Sequence, residues 1–131
     1  MRILLVDDHT VLRETLARAL SWEPDIEIVG EAGDGKLAVA MTCELLPDIV
    51  LMDISMPVMN GFEATRLICA ACPGVRVIGL SRCEQGGPAD AMRAAGAVAY
   101  VDKNDALDVL LAAIRACNPG RRAPPDLARQ P

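Results

Sequence analysis

The 131-residue chain predicts a single α/β domain, a doubly wound five-stranded parallel sheet with helices on both faces. Three observations carry this expectation. Short apolar runs recur along the chain, longer segments with helical spacing of apolar residues separate them, and turn formers stand at the junctions. The runs are apolar almost throughout rather than alternating, as in strands buried on both sides.

The strand candidates are "RILLV" (2–6), "IEIVG" (26–30), "DIVLM" (48–52), "VRVIGL" (75–80) and "AVAYV" (97–101). Val11, Leu12, Leu16, Ala19 and Leu20 mark the core face of a first helix, Leu37, Ala38, Met41 and Leu45 that of a second, and Leu107, Leu110, Leu111 and Ile114 that of a last one. Weaker patterns predict helices near 61–71 and 88–95. Gly33, Asp34 and Gly35 form a turn before the second helix, Pro73 and Gly74 one before the fourth strand, and Asn104 is the expected N-cap of the last helix. Right-handed crossovers then give the flavodoxin-like strand order 2-1-3-4-5. After Cys117, "NPGRRAPPDLARQP" has four prolines and three arginines in fourteen residues, so 1–117 is expected to be the domain and 118–131 a linker or tail.

Composition narrows the function. A net charge of −5 lacks the basic footprint of a nucleic-acid binder. Trp22, Phe62 and Tyr100 are the only aromatics, too few for a base-stacking platform. No apolar run approaches the roughly 20 residues that span a bilayer, and the expected location is cytoplasmic. Five cysteines, an odd number, fit reduced thiols better than a disulfide framework; Cys69 and Cys72 of the lone CxxC read as small apolar helix residues, and Trp22 as helix-end packing.

Ligands of open α/β sheets bind beyond the carboxyl ends of the strands. There the sequence places Asp7 and Asp8 after strand one, Asp53 after strand three, Ser81 after strand four and Lys103 after strand five, with Glu31 off to one side. Lys103 is one of only two lysines, against eleven arginines. Clustered carboxylates repel one another, and Mg²⁺, which takes one or two carboxylates together with phosphate oxygens, is the natural remedy. An ionised Asp beside Mg²⁺ and phosphate is a nucleophile that needs no general base, so Asp53 is a candidate for aspartyl-phosphate formation. Lys103 and the cation would neutralise charge on the transferring group, and the Ser81 hydroxyl would donate to one of its oxygens. Pro57 and Gly61 shape the loop that presents Asp53, with Met56 and Met59 as core filler beneath it.

These residues resemble those of the receiver domain of two-component response regulators, over about residues 1–117. "LLVDDHT" is similar to that family's first strand with its acidic pair, "DIVLMDISMPVMNG" to its phosphoacceptor strand and turn, "VIGLS" to the strand ending in the switch hydroxyl, and "GAVAYVDK" to the fifth strand with its aromatic and lysine. The resemblance implies that Asp53 accepts a phosphoryl group from a sensor histidine kinase. It also implies that Asp8, Asp53 and the Ser55 backbone carbonyl ligate Mg²⁺, Asp7 acting through water. Ser81 and Tyr100 would be the switch residues and Lys103 would pair with the phosphate.

Ser81 follows Asp53 by 28 positions and Lys103 by 50, spacings similar to the NarL/LuxR-type subfamily. That likeness implies a DNA-binding helix-turn-helix domain beyond 118–131, contact with DNA only through that domain, and a homodimer formed on phosphorylation. Such a domain is no enzyme beyond its own phosphorylation and dephosphorylation. Gly86 and Gly87 would let the loop after Ser81 rearrange, with the helix at 88–95, the fifth strand and the last helix as readout surface. Arg82, where the family usually has a small residue, together with Ser55 and Cys83, two residues beyond Asp53 and Ser81, bears on the lifetime of the phosphoryl group. A haloacid-dehalogenase-type phosphatase is disfavoured because "DDHTV" has His9 where that motif needs a second Asp, and "GDGKLA" is neither a dinucleotide fingerprint nor a P-loop. A receiver-like interaction module without phosphorylation is disfavoured because every expected site residue is present.

Overall fold

The computed structural model describes residues 1–54, 56, 59–81, 87–103 and 106–117. Strands and helices alternate as β1 (Arg2–Val6), α1 (Thr10–Ser21), β2 (Glu27–Ala32), α2 (Gly35–Leu45), β3 (Ile49–Asp53), α3 (Gly61–Ala71), β4 (Arg76–Ser81), α4 (Gly87–Ala95), β5 (Ala99–Asp102) and α5 (Leu107–Ala116). All four strand pairs are parallel, in the order β2-β1-β3-β4-β5. This is the flavodoxin-like winding, and it reverses between β1 and β3.

Side-chain alternation along the central strands divides the core in two. Leu4, Val6, Val50, Met52 and Val77 point to one side, against Ala38 of α2, Ala64 and Ile68 of α3 and Met92 of α4. Ile3, Leu5, Ile49, Leu51, Ile78 and Leu80 point to the other, against Ala17 and Leu20 of α1 and Leu110, Leu111 and Ile114 of α5. Every one of these strand residues is essentially inaccessible, which explains the unbroken apolar runs.

Several local expectations need correction. β2 extends to Ala32, so Glu31 lies inside the strand, and β5 starts only at Ala99. Val11 is 78% exposed: it stands nine residues before Leu20, about 180° around a helix of 3.6 residues per turn. Leu37 is also exposed, because α2 turns Ala38 and Thr42 inward. Trp22 is 81% exposed and takes no part in helix-end packing. α5 begins at Leu107 after Ala106, which makes no side-chain cap bond, and Asn104 lies outside the described residues. Leu107 stays partly open on the rim of a cavity of about 230 Å³ between α1 and α5. The turn before α2 is as expected, the Leu37 amide donating to Asp34 Oδ1 at 2.8 Å.

Candidate functional site

The carboxyl ends of β1, β3 and β5 bring Asp7, Asp8, Asp53 and Lys103 together. Asp7 and Asp53 are 1% and 4% exposed, at the ends of strands that cannot avoid burial in mid-sheet. Lys103 bridges them, its Nζ lying 2.7 Å from Asp7 Oδ2 and 3.0 Å from Asp53 Oδ1. The Lys103 amide donates to the Ser81 carbonyl at 2.7 Å, which fixes the lysine against the end of β4. Ser81 closes β4 in register with Asp102, one strand over from Asp53.

The two buried carboxylates titrate in opposite directions. Burial is the largest influence on Asp7 and pushes it up, but the Lys103 ammonium and the His9 amide outweigh burial and hold the group below the ordinary carboxylate range. Burial pushes Asp53 up to about 6: Lys103 offsets only part of this, and the charges of Asp7 and Asp8 add to it. Asp53 therefore remains mostly ionised at pH 7, about nine-tenths by the difference of one unit.

A ring of backbone approaches shapes the Asp53 loop. A Cβ at Gly61 would lie 2.3 Å from the Asp53 carbonyl oxygen, so glycine is needed there for space. A Cβ at Gly35 would lie 2.2 Å from the Met59 carbonyl oxygen, which ties the start of α2 to the same loop. Asn60 caps α3, its Oδ1 accepting from the Glu63 amide at 3.0 Å, and Met56 and Met59 pack on the core beneath, as expected. Ser55, Pro57, Arg82, Cys83, Gly86 and the tail 118–131 lie outside the described residues.

Tyr100 stands beside Gly79 across the β4–β5 pair. A Cβ at Gly79 would meet Tyr100 Cδ1 at 3.2 Å and Met92 Cε at 2.9 Å, so the missing side chain makes room for both. The Tyr100 hydroxyl is buried and has no hydrogen-bond partner among the described residues.

Two contributors escaped the sequence reading. His9 Nδ1 lies 3.2 Å from Asp8 Oδ1 and 3.4 Å from Asp7 Oδ1, and the His9 amide donates to Asp7 Oδ1 at 2.9 Å. Arg13, one turn into α1, donates from Nη1 to the Asp7 carbonyl at 2.6 Å and pairs through Nε with Glu31 at 3.0 Å. The only signal was that His9 stands directly after the acidic end of β1, with Arg13 one helical turn further on. Asp7, Asp8, His9 and Asp53 offer ligand atoms that all lie within 4.8 Å of one another. Three carboxylates so gathered fit a hard cation.

Comparisons with known proteins agree with this architecture. The family pattern of the response regulator receiver domain matches residues 3–115. The chain is similar to the transcriptional regulatory protein LiaR of Bacillus subtilis, 39% identical over 92% of this chain and 57% of LiaR. It is 35% identical to the response regulator GacA of Pseudomonas viridiflava, over 99% of this chain and 61% of GacA. It thus spans less than two thirds of the length of these relatives. The crystal structure of a LuxR-family two-component response regulator from Aurantimonas superposes with a TM-score of 0.86 at 38% identity, covering 93% of this chain and 87% of that one.

Proposed function

Because the chain belongs to the response regulator receiver domain family, in its NarL/LuxR-type branch, and so serves phosphorylation-dependent two-component signalling, we propose that Asp53 is its phosphoacceptor. The observation that carries this is the buried Asp53 carboxylate held 3.0 Å from Lys103 beside Asp7 and Asp8. Its carboxylate oxygen attacks phosphorus in line, the P–N bond of a phosphohistidine on a sensor histidine kinase breaks, and the electron pair and a proton end on the imidazole. Lys103, already within reach of Asp53, turns its charge to the transferred group; Ser81 at the end of β4 donates its hydroxyl to a phosphoryl oxygen.

Asp8, Asp53 and the Ser55 carbonyl would hold Mg²⁺, which supplies positive charge against the phosphoryl oxygens when bound. Both Asp7 oxygens are engaged, by Lys103 and by His9, which favours its acting on the cation through water. Tyr100 is the second switch residue: its ring is packed inward and its hydroxyl has no hydrogen-bond partner among the described residues. In the whole protein the tail 118–131 would lead to a helix-turn-helix domain, through which phosphorylation regulates transcription, with a homodimer as the active form. We place the protein in the cytoplasm; no helix among the described residues is long and apolar enough to cross a membrane.

The test is intact mass after incubation with Mg²⁺ and phosphoramidate, beside Asp53→Ala. One phosphoryl group that requires Mg²⁺ and is absent from the variant is the expected result. An unmodified wild-type chain, or an equal adduct on the variant, would overturn the assignment. For the dimer, light scattering with and without beryllofluoride should show the mass double; equal masses count against it.

A further inference from the structure

Outside the phosphorylation site, two cysteines remote in sequence meet on the face covered by α2 and α3. Cys43, on the last turns of α2, is exposed, and its Sγ lies 3.6 Å from Sγ of Cys72, the buried C-cap residue of α3. The CxxC partner of Cys72 is turned away, Cys69 Sγ donating instead to the Gly96 carbonyl at 3.6 Å. We propose that Cys43 and Cys72 form a reversible redox pair, oxidised by hydroperoxides to a disulfide that joins α2 to the end of α3.

The chemistry follows from the difference in access. Burial pushes the Cys72 thiol up, and its contact with Cys43 pushes it further, so it is a poor first target. Cys43 meets solvent, and its thiolate attacks the O–O bond of a hydroperoxide: a sulfur–oxygen bond forms, the O–O bond breaks, and the alcohol, or water, leaves. Cys72 sulfur then attacks Cys43 sulfur. The S–S bond forms, the S–O bond breaks, and hydroxide leaves with the Cys72 proton as water. Two thiols have lost two electrons and two protons, and one hydroperoxide has been reduced. The sulfurs need to close by about 1.6 Å from their present separation of 3.6 Å to reach bonding distance.

Position gives the bond a consequence. The near ends of the same two helices close around the Asp53 loop, through Gly35 against Met59 and Gly61 against Asp53. The cross-link fastens the far ends and closes a segment of about thirty residues, which restrains the unfolded chain. In a reducing compartment such a pair persists only under oxidant, so it reports redox state.

The purified chain is treated with stoichiometric hydrogen peroxide and its mass measured under denaturing conditions, with non-reducing peptide fragmentation to separate Cys72 from Cys69. The expected result is the loss of two hydrogens, one link between Cys43 and Cys72, and a Tm raised by more than about 5 °C that dithiothreitol reverses. Cys43→Ser, an exposed substitution that leaves the core intact, should abolish both the link and the shift. Oxygen adducts on Cys43 without a link, a link elsewhere, or an unchanged response in Cys43→Ser would each overturn the proposal.

Discussion

Asp53 sits where a carboxyl group prefers to be neutral, and this makes the stability of the metal-free protein depend on one residue. Below pH 3.8 the group is protonated whether the chain is folded or not; between 3.8 and about 6 the folded state keeps a proton that the unfolded chain has released. The folded state binds more protons over that interval, so the Asp53 contribution falls as pH rises and is lost above about 6. Asp7 acts in the opposite sense, its contribution present above the ordinary carboxylate range and lost in acid. Asp53→Asn should therefore stabilise the metal-free protein at pH 7.5 by about 1–3 kcal/mol and by about half as much at pH 5. Urea midpoints at the two pH values check this, and an equal gain at both would refute it. At Tyr100 the hydroxyl is buried without a partner among the described residues. Tyr100→Phe removes an unsatisfied polar group and should leave stability unchanged or raise it by up to about 1 kcal/mol, while a loss of that size would show that the oxygen is bonded.

The elements were legible where burial is complete and obscure where it is partial. β1, β3 and β4 are closed on both faces, so their apolar runs in the sequence lie within one residue of the observed strands. α1 is closed on one face only, and a list of its apolar residues did not reveal that Val11 points opposite Leu20. The site was legible for the same reason the strands were: Asp7, Asp53, Ser81 and Lys103 are charged or polar at the end of runs that are otherwise apolar. His9 and Arg13 were not, because their part in the site depends on how α1 leaves the sheet. The need for Gly35 was hidden too, since it comes from Met59, 24 positions away. A Cβ there meets main chain, which cannot swing aside as a side-chain tip can. Gly35→Ala should cost about 1–3 kcal/mol and slow phosphoryl acceptance by moving the Asp53 loop. Asp34→Ala, which removes only the α2 cap, should cost about 1 kcal/mol and leave the acceptance rate unchanged. Measuring stability and rate on both variants separates the two roles; equal rate losses would show that α2 itself, not its approach to Met59, sets the loop.

For the molecule as a whole, a net charge of −5 makes any added salt favourable, so a response to Mg²⁺ must be separated from screening. Screening depends on ionic strength and is shared by all exposed charges. Binding at the acidic cluster would depend on Asp7, Asp8 and Asp53, of which two are buried and barely screened. A cation at ten times its Kd would stabilise the fold by about 1.4 kcal/mol, which raises Tm by roughly 2–6 °C in a domain of this size. Sodium chloride at matched ionic strength should give less than half that rise. Asp8→Asn, which removes one carboxylate of the cluster without emptying the core, should bring the two salts level. If wild type responds equally to both, the acidic cluster is not a cation site and the charge at Asp53 is relieved by Lys103 alone. If Mg²⁺ is distinct, it should also flatten the pH dependence of stability between 3.8 and about 6, because the cation favours the ionised Asp53 that burial disfavours. Loss of the Mg²⁺ effect as pH falls through that interval would place proton and metal at the same carboxylate.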